Sequence, residues 1–502
     1  MSDPSRPVAQ PVDVWGETPS DVLDTPDAGV AAIRGGAMRI SGYAICIAAS
    51  VVSSALMLRH LGVVATGEYV TVLSLVTISS SITDGGLATI GVRELSTLPP
   101  ARARSFFRNL AGARLLFIAG GMIFALAFAL LSGYSTTMVE GVVFASIGFA
   151  SLTTQTTYLL PLMARLRLDW VTAVETLRQI GAAVVVVMLV LIGAPLLPFW
   201  AATIPAGIVA TALAAVLIRR SMPLLPAFDR AVLGPLIRRT LPYSLATAVG
   251  IVYFRLAILV MSYVSTGQQT GYYGASFRIV EALFVIPHLI VGSTLPIFAR
   301  AARDDRKRLD YALGRTFEVC LLTGLAAGLA LVTGSHFIIQ VVAGPKFAPA
   351  AIVLSIQGVA LVATFVGAVF GYGLLSLERY REVLVINLGV LLLSGLLTGV
   401  FASRYGALGA AGATTFVELL YTGLLALALV RAGARPQTSL AGMARFVFSA
   451  LLGVPLLLVP GIPDVARPAL AVAVYCAALL ALGAVPREIL VLIPGLRRKL
   501  PL

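Results

Sequence analysis

Read as apolar and polar positions alone, the sequence resolves into fourteen apolar runs separated by short polar connections. They extend from Met38 to Leu58, Tyr69 to Ile90, Leu110 to Leu131, Met138 to Leu160, Val171 to Ile192, Leu197 to Ile218, Leu241 to Tyr263, Tyr272 to Phe298, Ala312 to Val332, Ala350 to Ser376, Glu382 to Phe401, Leu408 to Val430, Met443 to Val459 and Pro468 to Val485. A run of about 20 apolar residues makes a helix that crosses the hydrocarbon core of a bilayer. The pattern therefore predicts an all-α, polytopic membrane protein of about fourteen transmembrane helices.

A few runs carry charge where it costs most. The seventh contains "VYFRLAILVMSYV" with Arg255 near its middle, and the eighth carries Arg278, Glu281 and His288. At 100° per residue these three fall within roughly 80° of one another, with Gly271, Gly274 and Gly292 on the same stripe and Ile279, Leu283, Ile286 and Ile290 opposite. Pro287 is placed to kink the helix and shift the register of His288. The second run has a polar row of Thr77, Ser80, Ser81 and Asp84, and Glu418 lies within the twelfth. A charge at mid-bilayer costs about 2.5–3.5 kcal/mol on insertion scales, so such residues face a bundle interior or a wet cavity. Each also has a plain structural use. Arg278 and Glu281 can satisfy each other at i, i+3, Asp84 can bond a neighbouring helix and Glu418 can hold the bundle together. Arg255 has no acid three or four residues away on its own helix, which makes it the strongest candidate for binding.

Composition fits this picture. Of 502 residues 58% are hydrophobic and 12% charged, and the net charge is +14. In a soluble chain that charge would suggest a nucleic-acid partner; here its position explains it. Arg59, Lys346, Arg404 and Arg467 fall on one side of the predicted membrane and Arg255 and Arg278 within spans, which leaves 31 of the 37 Lys and Arg on the other side. That bias is the positive-inside pattern; it puts both termini in the cytosol and requires no nucleic acid. Residues 1–37, with six acids and five prolines, read as a disordered acidic cytosolic tail without the basic and apolar regions of a signal peptide. Cys46, Cys320 and Cys476 and the histidines His60, His288 and His336 are scattered, so neither a disulfide framework nor a metal or catalytic cluster is expected. The short outer connections offer no enzymatic domain. Arg outnumbers Lys 34 to 3, as in GC-rich bacterial genomes, which makes a bacterial inner membrane the expected location.

The chain also repeats. "TGEY" (Thr66 to Tyr69) opens the second run and "TGYY" (Thr270 to Tyr273) the eighth, 204 residues later; "GAR" at Gly112 and "LGR" at Leu313 open the third and ninth, 201 apart. After the longer loop before the tenth run the offset grows, and "LMARLRLDW" and "LLSLERYRE" lie 212 apart. Two six-helix lobes related by a pseudo-two-fold axis along the membrane normal, plus two C-terminal helices, account for these matches. The expected divisions are the tail 1–37, an N-lobe 38–220, a C-lobe 221–431 and a segment 432–502 that holds helices thirteen and fourteen and a basic cytosolic end. "GALGAAG" at Gly406 and "GAVFG" at Gly367 read as close helix packing rather than phosphate loops.

Four stretches, "RHLGVVATGEYVTVLSLVTISSSITDGGLATIGVREL", "TGQQTGYYGASFRIVEALFVIPHLIVGSTLPIFAR", "AGPKFAPAAIVLSIQG" and "YGALGAAGATTFVELLY", resemble the polysaccharide-biosynthesis membrane proteins. These are flippases of lipid-linked oligosaccharides, in the superfamily that also holds multidrug and toxic-compound extruders and lipid II flippases. The resemblance runs from about Met38 to Arg431. It implies a two-lobed transporter that carries a polyprenyl-pyrophosphate-linked glycan from the cytosolic to the outer leaflet by alternating access, for surface polysaccharide biosynthesis. It also implies a cavity lined mainly by helices one, two, seven and eight, which carry Tyr43, Asp84, Tyr253, Arg255, Arg278, Glu281 and His288. Where many relatives read Arg, aliphatic, Asp in the seventh helix, this chain has Arg255, Leu256 and Ala257, so that position lacks the acid an ion-coupling role would use.

The expected site is thus Arg255 with Arg278, helped by Tyr253 and Tyr43, drawing the pyrophosphate into the cavity; guanidinium suits this because its planar fork of donors matches phosphate oxygens at any relevant pH. Glu281, His288, Asp84 and Glu418 are candidates for ion pairing or for a coupling H+ or Na+. No catalytic residue, metal or other cofactor is expected, and the partners would be the lipid-linked oligosaccharide, the bilayer and, in an assembly complex, a glycan polymerase or glycosyltransferases. A cation-coupled multidrug antiporter, a lipid II flippase and a non-transporting scaffold stay open as alternatives.

Overall fold

A computed structural model describes residues 28–84, 87–165, 167–457, 459 and 461–484. The described chain is helical throughout, with no strand among these residues. Ten helices are long and apolar enough to cross a membrane, and two shorter apolar helices, Ala248–Val264 and Arg467–Ala481, join them. Two of the ten, α1 (Ala28–Asp84) and the 52-residue helix Tyr380–Arg431, are each two spans merged across a kink. At 1.5 Å per residue, 52 residues would reach about 78 Å, over twice the hydrocarbon thickness, so each must turn back. Counting both merged helices twice and adding the two shorter helices gives fourteen apolar helical segments among the described residues, as many as the predicted runs.

The turning points are glycines that no other residue replaces cheaply. Gly62 has φ 75° and ψ −177°, and Gly406 has φ 58° and ψ −135°, regions that L side chains rarely enter. At Gly406 the turn is tied down, because the Ala407 amide donates to Gln269 Oε1 at 2.9 Å.

The chain forms two compact units, residues 1–57 with 72–251 and residues 58–71 with 252–502. The first holds most of α1, then α2 (Leu87–Thr97), α3 (Pro100–Leu131), α4 (Thr136–Ala164), α5 (Leu168–Leu191), α6 (Leu196–Ala201), α7 (Thr203–Ile218) and the start of α8 (Arg230–Val264). Its core gathers Phe107, Leu110, Leu159, Leu160, Val174 and Ala210 from α3, α4, α5 and α7. The second unit holds the rest of α8, α9 (Gly267–Leu283), α10 (Val285–Asp304), α11 (Arg306–Val342), α12 (Ala350–Ser376), α13 (Tyr380–Arg431), α14 (Leu440–Leu451) and α15 (Arg467–Ala481). The boundary between the two units falls inside the seventh span. Segment 58–71 groups with the second unit because glycines let it approach α9 closely: a Cβ on Gly271 would strike the Val63 carbonyl, and one on Gly67 the Gly267 carbonyl.

The duplication recurs as one contact made separately inside each unit. In the first, the Ala227 amide donates to Arg108 O at 2.9 Å, the Asp229 amide to Asn109 Oδ1 at 2.8 Å, and Gly112 sits against the Ala227 carbonyl. In the second, the Gln437 amide donates to Asp310 O at 3.0 Å, the Arg435 amide to Asp310 Oδ1 at 2.8 Å, and Gly314 sits against the Gln437 carbonyl. The third and ninth spans therefore hold equivalent linkers. The equivalent glycines are 202 residues apart, so the register read from "GAR" and "LGR" shifts by one.

Two boundaries depart from the sequence reading. Helix α1 begins at Ala28, so residues 28–37, expected within the disordered tail, are helical; residues 1–27 lie outside the described residues, as does nearly all of the basic C-terminal end. The eighth span breaks in two at Phe284. Pro287 is the cause, since it lacks the N–H that would bond the Leu283 carbonyl and its ring crowds that group.

Candidate functional site

Three charges meet within the second unit. Arg255 stands close to the middle of the apolar stretch Ala248–Val264 on α8. Its guanidinium donates from Nη2 to Glu281 Oε1 on α9. The other oxygen of the same carboxylate, Oε2, accepts from Arg278 Nη1 at 3.1 Å. One carboxylate thus bridges two guanidiniums from two helices, and the cluster keeps one uncompensated positive charge. The Arg255 side chain is 13% exposed and that of Arg278 34%, so Arg278 is the more accessible of the two cations.

Aromatic packing fixes this arrangement. Arg255 Cζ lies 5.6 Å from the Phe277 ring centroid, close enough for a cation–π contact. Phe277 packs on Phe254 at 4.8 Å, and Phe254 meets Phe284 edge-on at 4.4 Å. Tyr69, on the segment that joins this unit, lies within electrostatic reach of all three charges.

Along its own helix Arg255 has no acid at i, i+3 or i, i+4; its partner Glu281 comes from the neighbouring helix α9. His288 does not join the cluster. Beyond the break at Phe284 it is exposed, its Nδ1 is 2.8 Å from the Phe284 carbonyl of its own helix, and its ring is 6.2 Å from Tyr372. Tyr43 and Asp84 both lie on α1, and their side chains fall outside the described residues.

Tyr253 is likewise not beside Arg255. Two residues apart on a helix, they point about 160° away from each other. The Tyr253 hydroxyl donates to Glu418 Oε2 at 2.6 Å, and Thr364 Oγ1 donates to Glu418 Oε1 at 2.8 Å. These three line a cavity of about 60 Å³ with Tyr273, Gln357 and Thr414. Gln357 Oε1 is buried there without a hydrogen-bond partner among the described residues. Most of the remaining lining is apolar, with Phe254, Phe277, Val280, Phe284 and Leu361, and the space is large enough for a water. The helix-face rule could have found its walls, because Gln357 and Thr364 are seven apart on α12 and Thr414 and Glu418 four apart on α13.

No family model matches the sequence, and no curated protein matches it significantly. Its fold does match solved structures. A lipid II flippase, MurJ, in an inward closed conformation superposes with a TM-score of 0.72 at 12% identity, covering 88% of this chain and 97% of that one. A multidrug-resistance MATE family transporter of the MOP superfamily, facing inward, gives 0.61 at 13% identity, covering 76% and 94%. The eukaryotic MATE transporter AtDTX14 gives 0.52 at 11% identity, covering 79% and 96%. The architecture of this chain is therefore that of a polytopic helical membrane protein with the fold of these transporters.

Proposed function

We propose that this protein is a flippase, moving a polyprenyl-pyrophosphate-linked oligosaccharide from the cytosolic to the outer leaflet of a bacterial inner membrane by alternating access, in the service of surface polysaccharide assembly. The observation that carries this reading is the surplus cation of the Arg255–Glu281–Arg278 cluster. A bridging carboxylate neutralises one guanidinium and orients both, which leaves Arg278 to offer charge-assisted bonds to a phosphate oxygen. A transporter of cations would gain nothing from a net positive charge within its spans. The shared fold with a lipid II flippase supports a lipid-linked cargo, and the choice between that cargo and a surface-polysaccharide precursor rests on the resemblance in the four sequence stretches. On this reading the protein transports and has no catalytic group.

A second reading draws on a different observation. Glu418, held by Tyr253 and Thr364 at the edge of a small, largely apolar cavity, is a carboxylate suited to a coupling H+ or Na+. It fits a cation-coupled multidrug antiporter, and equally a flippase driven by an ion gradient.

Proteoliposomes with a fluorescent polyprenyl-pyrophosphate sugar in one leaflet test the proposal. Wild-type protein is expected to move the label across, and Arg255→Glu to abolish the movement. Normal movement by that variant contradicts the proposal, while Glu418-dependent efflux of a lipophilic cation without lipid movement selects the antiporter.

A further inference from the structure

The two arms of α13 part at their shared end and leave a cleft of about 570 Å³. Local structure sets its rim. After α12, Glu378 adopts a left-handed conformation with φ 59°, and the Arg379 amide bonds back to Leu374 O at 3.0 Å, so the chain reverses and α13 starts with Arg379 as its cap and Arg381 in its first turn. At the far end Gly433, φ 85°, closes the helix just after Arg431, with the Ala434 amide donating to Leu429 O at 3.2 Å. Three arginines from opposite ends of one helix thus share one cleft. Its walls are aliphatic, with Val385 and Ile386 on one arm and Leu427 on the other.

The charges there are not balanced by the protein. Arg379 donates to Glu382 at 3.0 Å. Arg381 and Arg431 are exposed and have no hydrogen-bond or ion-pair partner among the described residues. Arg431 is favoured by the helix dipole at the C-terminal turn, but Arg381 stands in an N-terminal turn, where the dipole opposes a cation. Helix stability does not account for Arg381. Because the cleft is lined only by charged and apolar side chains, it offers no hydroxyl or amide to a sugar. Val385 is 61% exposed and Leu427 46%, as suits walls that meet acyl chains.

We infer that this cleft binds an anionic glycerophospholipid of the bilayer, with the phosphate on Arg381 and Arg431 and an acyl chain in the slot lined by Val385, Ile386 and Leu427. Basic pockets between spans at a membrane surface recognise anionic headgroups in this way. The site is separate from the Arg255–Glu281–Arg278 cluster and does not depend on what the protein transports.

Native mass spectrometry of the full-length protein, titrated with phosphatidylglycerol and with phosphatidylcholine of the same chains, tests the assignment. Each guanidinium is expected to contribute about fivefold, so wild type should favour phosphatidylglycerol by about 30-fold. Arg381→Gln with Arg431→Gln should lose that preference and leave phosphatidylcholine retention unchanged, and the double Lys variant should recover most of it. Leu427→Trp, which fills the slot and leaves the charges in place, should weaken both lipids. A preference that survives the double Gln variant overturns the inference, as does wild-type indifference between the lipids. Displacement of phosphatidylglycerol by inorganic phosphate at equal concentration would also overturn it, because the site would then need no chain. So would stronger retention of a polyprenyl pyrophosphate, which would make the cleft a cargo site.

Discussion

Arg255 on α8 and Glu281 on α9 lie 26 residues apart and form an ion pair within the spans, with the carboxylate's second oxygen given to Arg278. Removing the acid leaves two guanidiniums facing each other. Glu281→Gln should therefore destabilise the second unit by roughly 1–3 kcal/mol, less than the about 3–5 kcal/mol of a fully buried pair because these side chains are partly exposed. Arg255→Gln in the same chain should return part of that loss by removing the repulsion. Thermal unfolding of the single and double variants in detergent measures the coupling, and strictly additive losses would refute it.

The Tyr253–Glu418 bond belongs to a different polar site and should behave independently. Tyr253→Phe removes one donor from a half-buried carboxylate and should cost about 0.5–1.5 kcal/mol. It should leave binding of a pyrophosphate lipid unchanged, because the hydroxyl points away from Arg255. A matched pair of melting curves and lipid titrations checks both statements; a fall in lipid affinity as large as that of an Arg278 variant would merge the two sites.

Gly112 and Gly314 each leave room for a linker carbonyl in their own unit, and a methyl group there would lie within 2.8 Å of the Gln437 carbonyl carbon in the second. Alanine at either position should push its linker off the helix and cost about 1–3 kcal/mol. Limited proteolysis should then cut near residue 227 in Gly112→Ala and near residue 437 in Gly314→Ala. Unchanged melting and cleavage in both would remove the claim that the two contacts are equivalent.

Much of this architecture was legible from hydrophobic run length alone, since each span must satisfy its backbone within one helix. The fourteen runs became fourteen apolar helical segments, and Pro287 broke the eighth where its missing donor required. What stayed hidden was partnership across helices. The i, i+3 rule paired Arg278 with Glu281 but had no means of bringing Arg255 to the same acid, because the angle between α8 and α9 is a product of packing. The same limit separated Glu418 from Tyr253 and Thr364, which lie on three helices, and put His288 on a stripe that the kink at Phe284 takes apart. Segment 58–71 shows a further limit, as apolar residues announce a span but not which unit it packs in; the glycines at 67, 267 and 271 carried that information.

The central claim is that the surplus guanidinium of the triad meets a phosphate. Titration of a short-chain polyprenyl pyrophosphate into the purified full-length protein, followed by microscale thermophoresis, tests it most directly. The account predicts that Arg278→Gln weakens binding roughly 10- to 100-fold, the worth of one charge-assisted bond, and that Arg278→Lys loses less. Equal affinities for wild type and Arg278→Gln would contradict it.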